Sequence, residues 1–188
     1  MTTLIANDVE QARRYFAQTR ARVAEATAGL TDTQLRFKPA PDRWSIAEIL
    51  EHMAIVHGRV LQRIMEQLPQ GAAPEPGRDS QLLDALVLEK IPDRSIRANA
   101  PAFIHPTGKV AAAESLERIF ADYERLIHLL ESTPGLREHI LDSPPLHVVT
   151  QGAYTTMDGY QWALTAAAHD QRHVRQIEEL KAGPGYPA

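Results

Sequence analysis

The sequence predicts an all-α fold, an antiparallel four-helix bundle with long decorated loops. Three observations predict it. Four stretches of about 20 residues repeat apolar side chains at three- and four-residue spacing. Their ends carry capping signals. No stretch alternates polar and apolar residues at strand length, and the β-branched cluster His147-Val148-Val149-Thr150 is short.

The first helix is expected over roughly Val9 to Ala28. Asn7 or Asp8 caps it, Gly29 ends it, and Val9, Ala12, Phe16, Val23, Ala26 and Leu30 form its apolar stripe. Thr31 can start a single turn before Pro39 and Pro41 enforce an extended linker. The second helix has the clearest start in the chain. Ser45 and Glu48 stand at capping-box spacing, with Trp44 ahead of them as an apolar staple. Ile46, Ile49, Leu50, Met53, Val56, Val60, Ile64 and Leu68 then recur until Pro69. PQGAAPEPGRDS, from Pro69 to Ser80, reads as a solvent-exposed loop, and QLLDALVLEKI as a short helix. Pro92, Pro101 and Pro106 make the next segment irregular. The third long helix is expected over Ala111 to Glu131, with Leu116, Ile119, Phe120, Tyr123, Leu126, Ile127 and Leu130 inward. After another proline-bearing connection, the fourth starts near Asp158, with Gln161 three residues in, and stops before Gly183-Pro184.

A chain of 188 residues suits one domain, 1–188, and its 44% apolar content is enough to build a core. The net charge of −4 supplies no basic field for nucleic acid or anionic lipid. No apolar run reaches the length that spans a bilayer. The opening MTTLIANDVEQARRYF becomes charged before a signal peptide would develop, so a cytoplasmic protein is expected. With no cysteine, the chain has no disulfide, thiolate ligand or cysteine nucleophile.

The chemistry concentrates in AHDQRHVRQIEEL, Ala168 to Leu180. His169 and His173 stand at i and i+4, on one helix face, where two imidazoles can chelate one metal ion. The spacing alone is weak, because 8 histidines in this chain give roughly a third of one such pair by chance. Ala166, Ala167 and Ala168 keep the preceding turn small and leave room beside the pair. His52 lies at the edge of the second helix's stripe. If the second and fourth helices are neighbours, it meets the pair, and three imidazoles with water make an open site for zinc or another borderline divalent ion.

These residues also carry a family resemblance. WSIAEILEHMAIVHGRVLQRI, with Trp44-Ser45 and His52, and the distant AAAHDQRHVRQIEELKA, with His169, His173, Gln176 and Ile177, resemble the DinB-like superfamily of small four-helix proteins. The match runs from near Asp8 to Lys181. The resemblance implies a divalent metal, zinc or nickel, held by His52, His169 and His173. It also implies that homodimers are common and that some members are transferases or isomerases using low-molecular-weight thiols, while others have no assigned activity.

Around the trio, Glu48 (one turn before His52) and Asp170 are candidates to hold the far side of a ligating imidazole. The capping box competes for Glu48, and solvent for Asp170. Arg172 and Arg175 either steer an anionic substrate or face water. His57 points about 140° away from His52 around the helix and reads as a packing or capping residue rather than a ligand. His128 reads as a core-edge residue, and His105 and His147 lie in proline-rich loops that can cover the metal. The sequence therefore predicts a metal-dependent enzyme acting on a small molecule, a low-molecular-weight thiol in the transferase reading. A metal-dependent hydrolase and a non-catalytic helical binding protein with a structural metal are the alternatives.

Overall fold

The computed structural model describes residues 6–97 and 99–188. Seven α-helices carry the described residues, and the fold is all-α apart from one short ribbon. The first helix, α1 (Ala6–Thr27), buries Ala12, Phe16, Val23 and Ala26. Thr19 shares that face although it is polar. Its hydroxyl donates to the Tyr15 carbonyl at 2.9 Å and accepts from the Gln171 amide at 2.9 Å, so its burial leaves nothing unpaired. Thr31 starts α2 (Asp32–Arg36) with a full capping box to Gln34.

Ser45 starts α3 (Ile46–Gln62). Its side chain accepts from the Glu48 N–H, and the Glu48 carboxylate accepts from the Ser45 N–H. The helical path does not stop at Gln62. Pro69 has no N–H to donate, and the turn before it, Arg63–Gln67, widens so that Leu68 N–H reaches back five residues to the Arg63 carbonyl. Ile64 and Leu68 stay buried through this change.

The segment after Pro69 is not a free loop. Ala72 bridges to Ile140, and Arg78 donates to the Thr156 carbonyl and hydroxyl, each at 2.8 Å. Gly71 is required at this approach, because a Cβ there would stand 2.5 Å from the Ile140 carbonyl oxygen. Asp79 caps α4 (Ser80–Lys90), which buries Leu83 and Val87. After a 3₁₀ turn at Ala102–Ile104 comes α5 (Ala112–Ser132), burying Ile119, Tyr123, Leu126, Leu129 and Leu130.

The ribbon is β1 (Ile140–Asp142) paired antiparallel with β2 (Thr156–Asp158), Leu141 opposite Met157. Three-residue strands are too short for alternation to be read from sequence. Between them lies α6 (Pro144–Val149), capped by Ser143, so the β-branched cluster at 147–149 is helical. Pro144 at its first position has the fixed φ that a helix start uses.

The last helix, α7 (Gly159–Lys181), is the innermost. Every residue from Gly159 to Ala168 is buried, which is the pattern of a helix enclosed on all sides. It packs against α1, α3 and α4, while α3 and α1 also pack against α5, so the four long helices close a ring of neighbours. Ala166, Ala167 and Ala168 are fully buried: their small side chains admit neighbouring helices rather than leaving open space. Beyond the start of α7, Arg137 is almost wholly buried. It donates to Asp158 at 3.0 Å and Asp84 at 2.7 Å while its guanidinium lies 4.3 Å from the Tyr160 ring centroid. No helix among the described residues is long and apolar enough to cross a membrane.

The reciprocal cap on α3 makes a stability prediction. Ser45→Ala should cost about 0.5–2 kcal/mol. A two-state urea titration would show this as a lower midpoint at unchanged slope.

Candidate metal centre

His169 and His173 face the same way because they are one helical turn apart on α7, and α3 brings His52 to them. His52 Nε2 lies 3.1 Å from His169 Nε2, and His173 Nε2 lies 3.0 Å from the same atom. The ring centroids are 4.3–4.9 Å apart. All three rings are largely shielded from water. His169 is the most open, its side chain 16% exposed.

The opposite nitrogens explain the convergence. His52 Nδ1 lies 2.8 Å from the Ile104 carbonyl oxygen. That oxygen only accepts, so the proton is on Nδ1 and the Nε2 of the neutral ring is a bare lone pair. His173 Nδ1 is 2.8 Å from Gln176 Oε1, with the same consequence. His169 Nδ1 faces the Asp170 carboxylate, 3.7 Å from Oδ1. Burial pushes the His52 imidazolium down to about 3, with His169 adding to the effect. Burial likewise holds His173 well below its ordinary range and lowers His169, so no ring is cationic at neutral pH. Two lone pairs on neutral rings therefore aim at a third imidazole within 3.1 Å. One His169 proton can satisfy only one of them, and placing it on Nε2 would turn a lone pair toward a carboxylate. A cation at the centre satisfies all three nitrogens. The set fits a divalent ion, and among the described residues it is the only group of three such side chains able to hold one.

Asp170 is buried, not solvated as its charge suggested. Its Oδ2 accepts from His57 Nε2 at 2.8 Å and from the Tyr123 hydroxyl at 2.5 Å. Burial alone would raise the Asp170 carboxyl, but the neighbouring His57 and His169 outweigh it and hold the group below the usual carboxylate range. Burial would lower His57, and the Asp170 charge reverses this and raises it. Burial and the same carboxylate push the Tyr123 phenol far up. Asp170 Oδ1 and His169 Nδ1 are each buried without a hydrogen bond and lie 3.7 Å apart.

Several expectations change. Glu48 does not serve His52. One oxygen takes the Ser45 N–H and the other the Lys38 ammonium at 2.9 Å, while the Ile104 carbonyl holds His52 instead. Arg172 is half-buried and Arg175 is exposed, and each guanidinium is tied to backbone. Arg172 donates to the carbonyls of Asp93 and Ile96, and Arg175 to that of Pro92, clamping the segment after α4. His57 is more than a packing residue, because it serves Asp170. His105 lies on the segment that covers His52, stacked edge-on to Trp44 at 5.8 Å, and Trp44 itself lies 4.7 Å from the His52 ring. His128 and His147 are exposed, and no contact joins them to the trio.

Tyr123 and His57 were missed as functional partners because each reads correctly as a core residue. The signal lay in Asp170. It stands four residues before Val174 and seven before Ile177, on the buried face, and an acid there needs donors from other helices.

A family model described as the DinB superfamily matches residues 15–177. The uncharacterized protein YuaE of Bacillus subtilis is 24% identical over 166 residues, covering 88% of this chain and 94% of that one. The UDP-N-acetylenolpyruvoylglucosamine reductase of Pseudomonas aeruginosa is 34% identical over 94 residues, but these are 46% of this chain and 27% of that protein. No solved structure matches significantly.

The hydroxyl on Asp170 should be measurable. Tyr123→Phe leaves Oδ2 with His57 alone and should lower unfolding free energy by about 1–3 kcal/mol. Chemical denaturation of the variant against the wild type would read the change directly.

Proposed function

The chain belongs to the DinB superfamily, and we propose that it is a metal-dependent enzyme acting on a small molecule. In this reading His52, His169 and His173 hold one divalent ion, zinc or nickel. The observation that carries it is the convergence of the three Nε2 atoms, with a hydrogen-bond acceptor behind His52 and His173 and a carboxylate behind His169. Among the described residues no fourth protein ligand joins the group. Three protein ligands with an open position is the arrangement of catalytic sites, whereas structural zinc sites are closed by four. That count favours an enzyme over a helical binding protein with a structural metal.

When bound, the ion lowers the pKa of a coordinated water or thiol and so supplies a nucleophile at neutral pH. The chain's own groups orient and enclose. Ile104 and Gln176 fix the tautomers of His52 and His173. Asp170 stands behind His169, with the 16% exposure of that ring marking the open side. Trp44 covers the His52 ring. The chain has no cysteine, so any thiolate at the metal comes from a separate molecule. The transferase reading therefore takes a low-molecular-weight thiol and an electrophile as its substrates. The same site using water would be a hydrolase, which the substrate screen separates.

Protein purified without a histidine tag should contain one zinc or nickel per chain, and His173→Ala should lose it. Equal metal content in the two by elemental analysis would sink the ligand assignment. The chelated protein should remain helical and melt cooperatively, lower only by the lost binding contribution, because its core is apolar and continuous without the metal. Loss of helical circular dichroism on chelation would make the metal structural. With the metal restored, a screen of thiol and electrophile pairs against water alone assigns the reaction.

A further inference from the structure

Beside His52 on α3 stands a second buried acid that the metal reading does not use. Glu51 is 3% exposed, and its carboxylate is taken up by the segment between α4 and α5. Oε1 accepts from the Thr107 N–H at 2.9 Å and the Thr107 hydroxyl at 2.6 Å, and Oε2 accepts from the Gly108 N–H at 2.8 Å. Gly108 has φ +73°, a backbone that presents its N–H inward and that other residues rarely adopt.

This segment lies along α3. Phe103 packs under the Arg59 guanidinium, 5.6 Å from its ring centroid, and Ile104 gives its carbonyl to His52. His105 meets Trp44, and Thr107 and Gly108 meet Glu51. Among the described residues, Glu51 and His52 make every hydrogen bond that ties positions 99–110 to a helix. The link between the two attachment points is stiff. Ile104 closes the 3₁₀ turn, and His105 precedes Pro106 and is held extended at ψ 141°. Where Glu51 pins Thr107 therefore sets where the Ile104 carbonyl sits.

We propose that Glu51 is a positioning residue for the metal centre: by clasping Thr107 and Gly108 it holds the Ile104 carbonyl against His52 Nδ1 and so keeps the His52 Nε2 lone pair turned to the ion. This rests on the three-histidine reading and extends it to a residue that touches neither the metal nor the substrate. An ordinary loop anchor would affect stability alone. A positioning residue also controls which His52 nitrogen carries the proton.

Two variants test it. Glu51→Gln keeps the volume but turns an amide N–H toward the Gly108 N–H, where an acceptor is needed. Thr107→Val leaves α3 untouched and removes the hydroxyl that donates to Glu51 and accepts from the Lys109 N–H at 3.2 Å. Zinc affinity, from competition with a chromophoric chelator, should fall at least about tenfold in Glu51→Gln and less, in the same direction, in Thr107→Val. In metal-free protein, ¹⁵N resonances of the His52 ring should show one tautomer, protonated at Nδ1, in the wild type and a mixture in Glu51→Gln. Wild-type zinc affinity together with an unchanged His52 tautomer in both variants would overturn the proposal. If the wild type takes up no zinc, the metal reading fails, while the tautomer measurement still decides the role of Glu51.

Discussion

A carboxylate with no access to water organises the centre of this protein. Asp170 comes from α7, and its donors come from α3 (His57) and α5 (Tyr123). Burying an ion costs several kcal/mol unless partners surround it. Three helices must therefore meet in one register for Asp170 to be tolerated. Leu, Val and Ile contacts bring the helices together but permit many relative offsets. The carboxylate permits few. That register is also what places His52 opposite His169 and His173.

The three-histidine cluster follows the same logic one layer further out. Three neutral imidazoles with converging lone pairs repel unless something positive lies between them, so an unsupported trio would rotate apart. Hydrogen-bond acceptors behind two rings oppose that rotation, a backbone carbonyl for His52 and an amide oxygen for His173, and a carboxylate faces the third ring, His169, at 3.7 Å. Each comes from a different source. Gln176 is local to α7, Asp170 is tied across the helices, and Ile104 arrives on an irregular segment whose Thr107 and Gly108 donate to Glu51. Cluster and scaffold are thereby coupled.

At the start of α7 a separate polar node does comparable work. Arg137 gathers Asp158 and Asp84, and Gln161 joins Asp84 at 2.9 Å, fastening the ribbon and α4 to the innermost helix. Gly159 lies in this crowded corner. A Cβ there would approach the Leu68 side chain at 2.5 Å and the Leu136 carbonyl at 2.9 Å, so α7 can begin here only with glycine. The widened turn before Pro69 keeps Leu68 buried at that corner.

Some of this was legible in the residues. Period, caps and prolines located the long helices, because those signals act within a few residues of one another. The i, i+4 spacing of His169 and His173 is likewise local geometry, and Ser45 with Glu48 announced the start that carries His52. Glu48 itself shows the limit: its cap was readable, but not that the cap and Lys38 consume it. The partners of Asp170, the clasp of Glu51 on Thr107 and the Ile104 carbonyl behind His52 lie 47 to 113, 56 and 52 residues apart in the chain. No periodicity links such positions. Only packing brings them together, and it is the requirement to satisfy buried charge and buried N–H groups that makes those pairings selective.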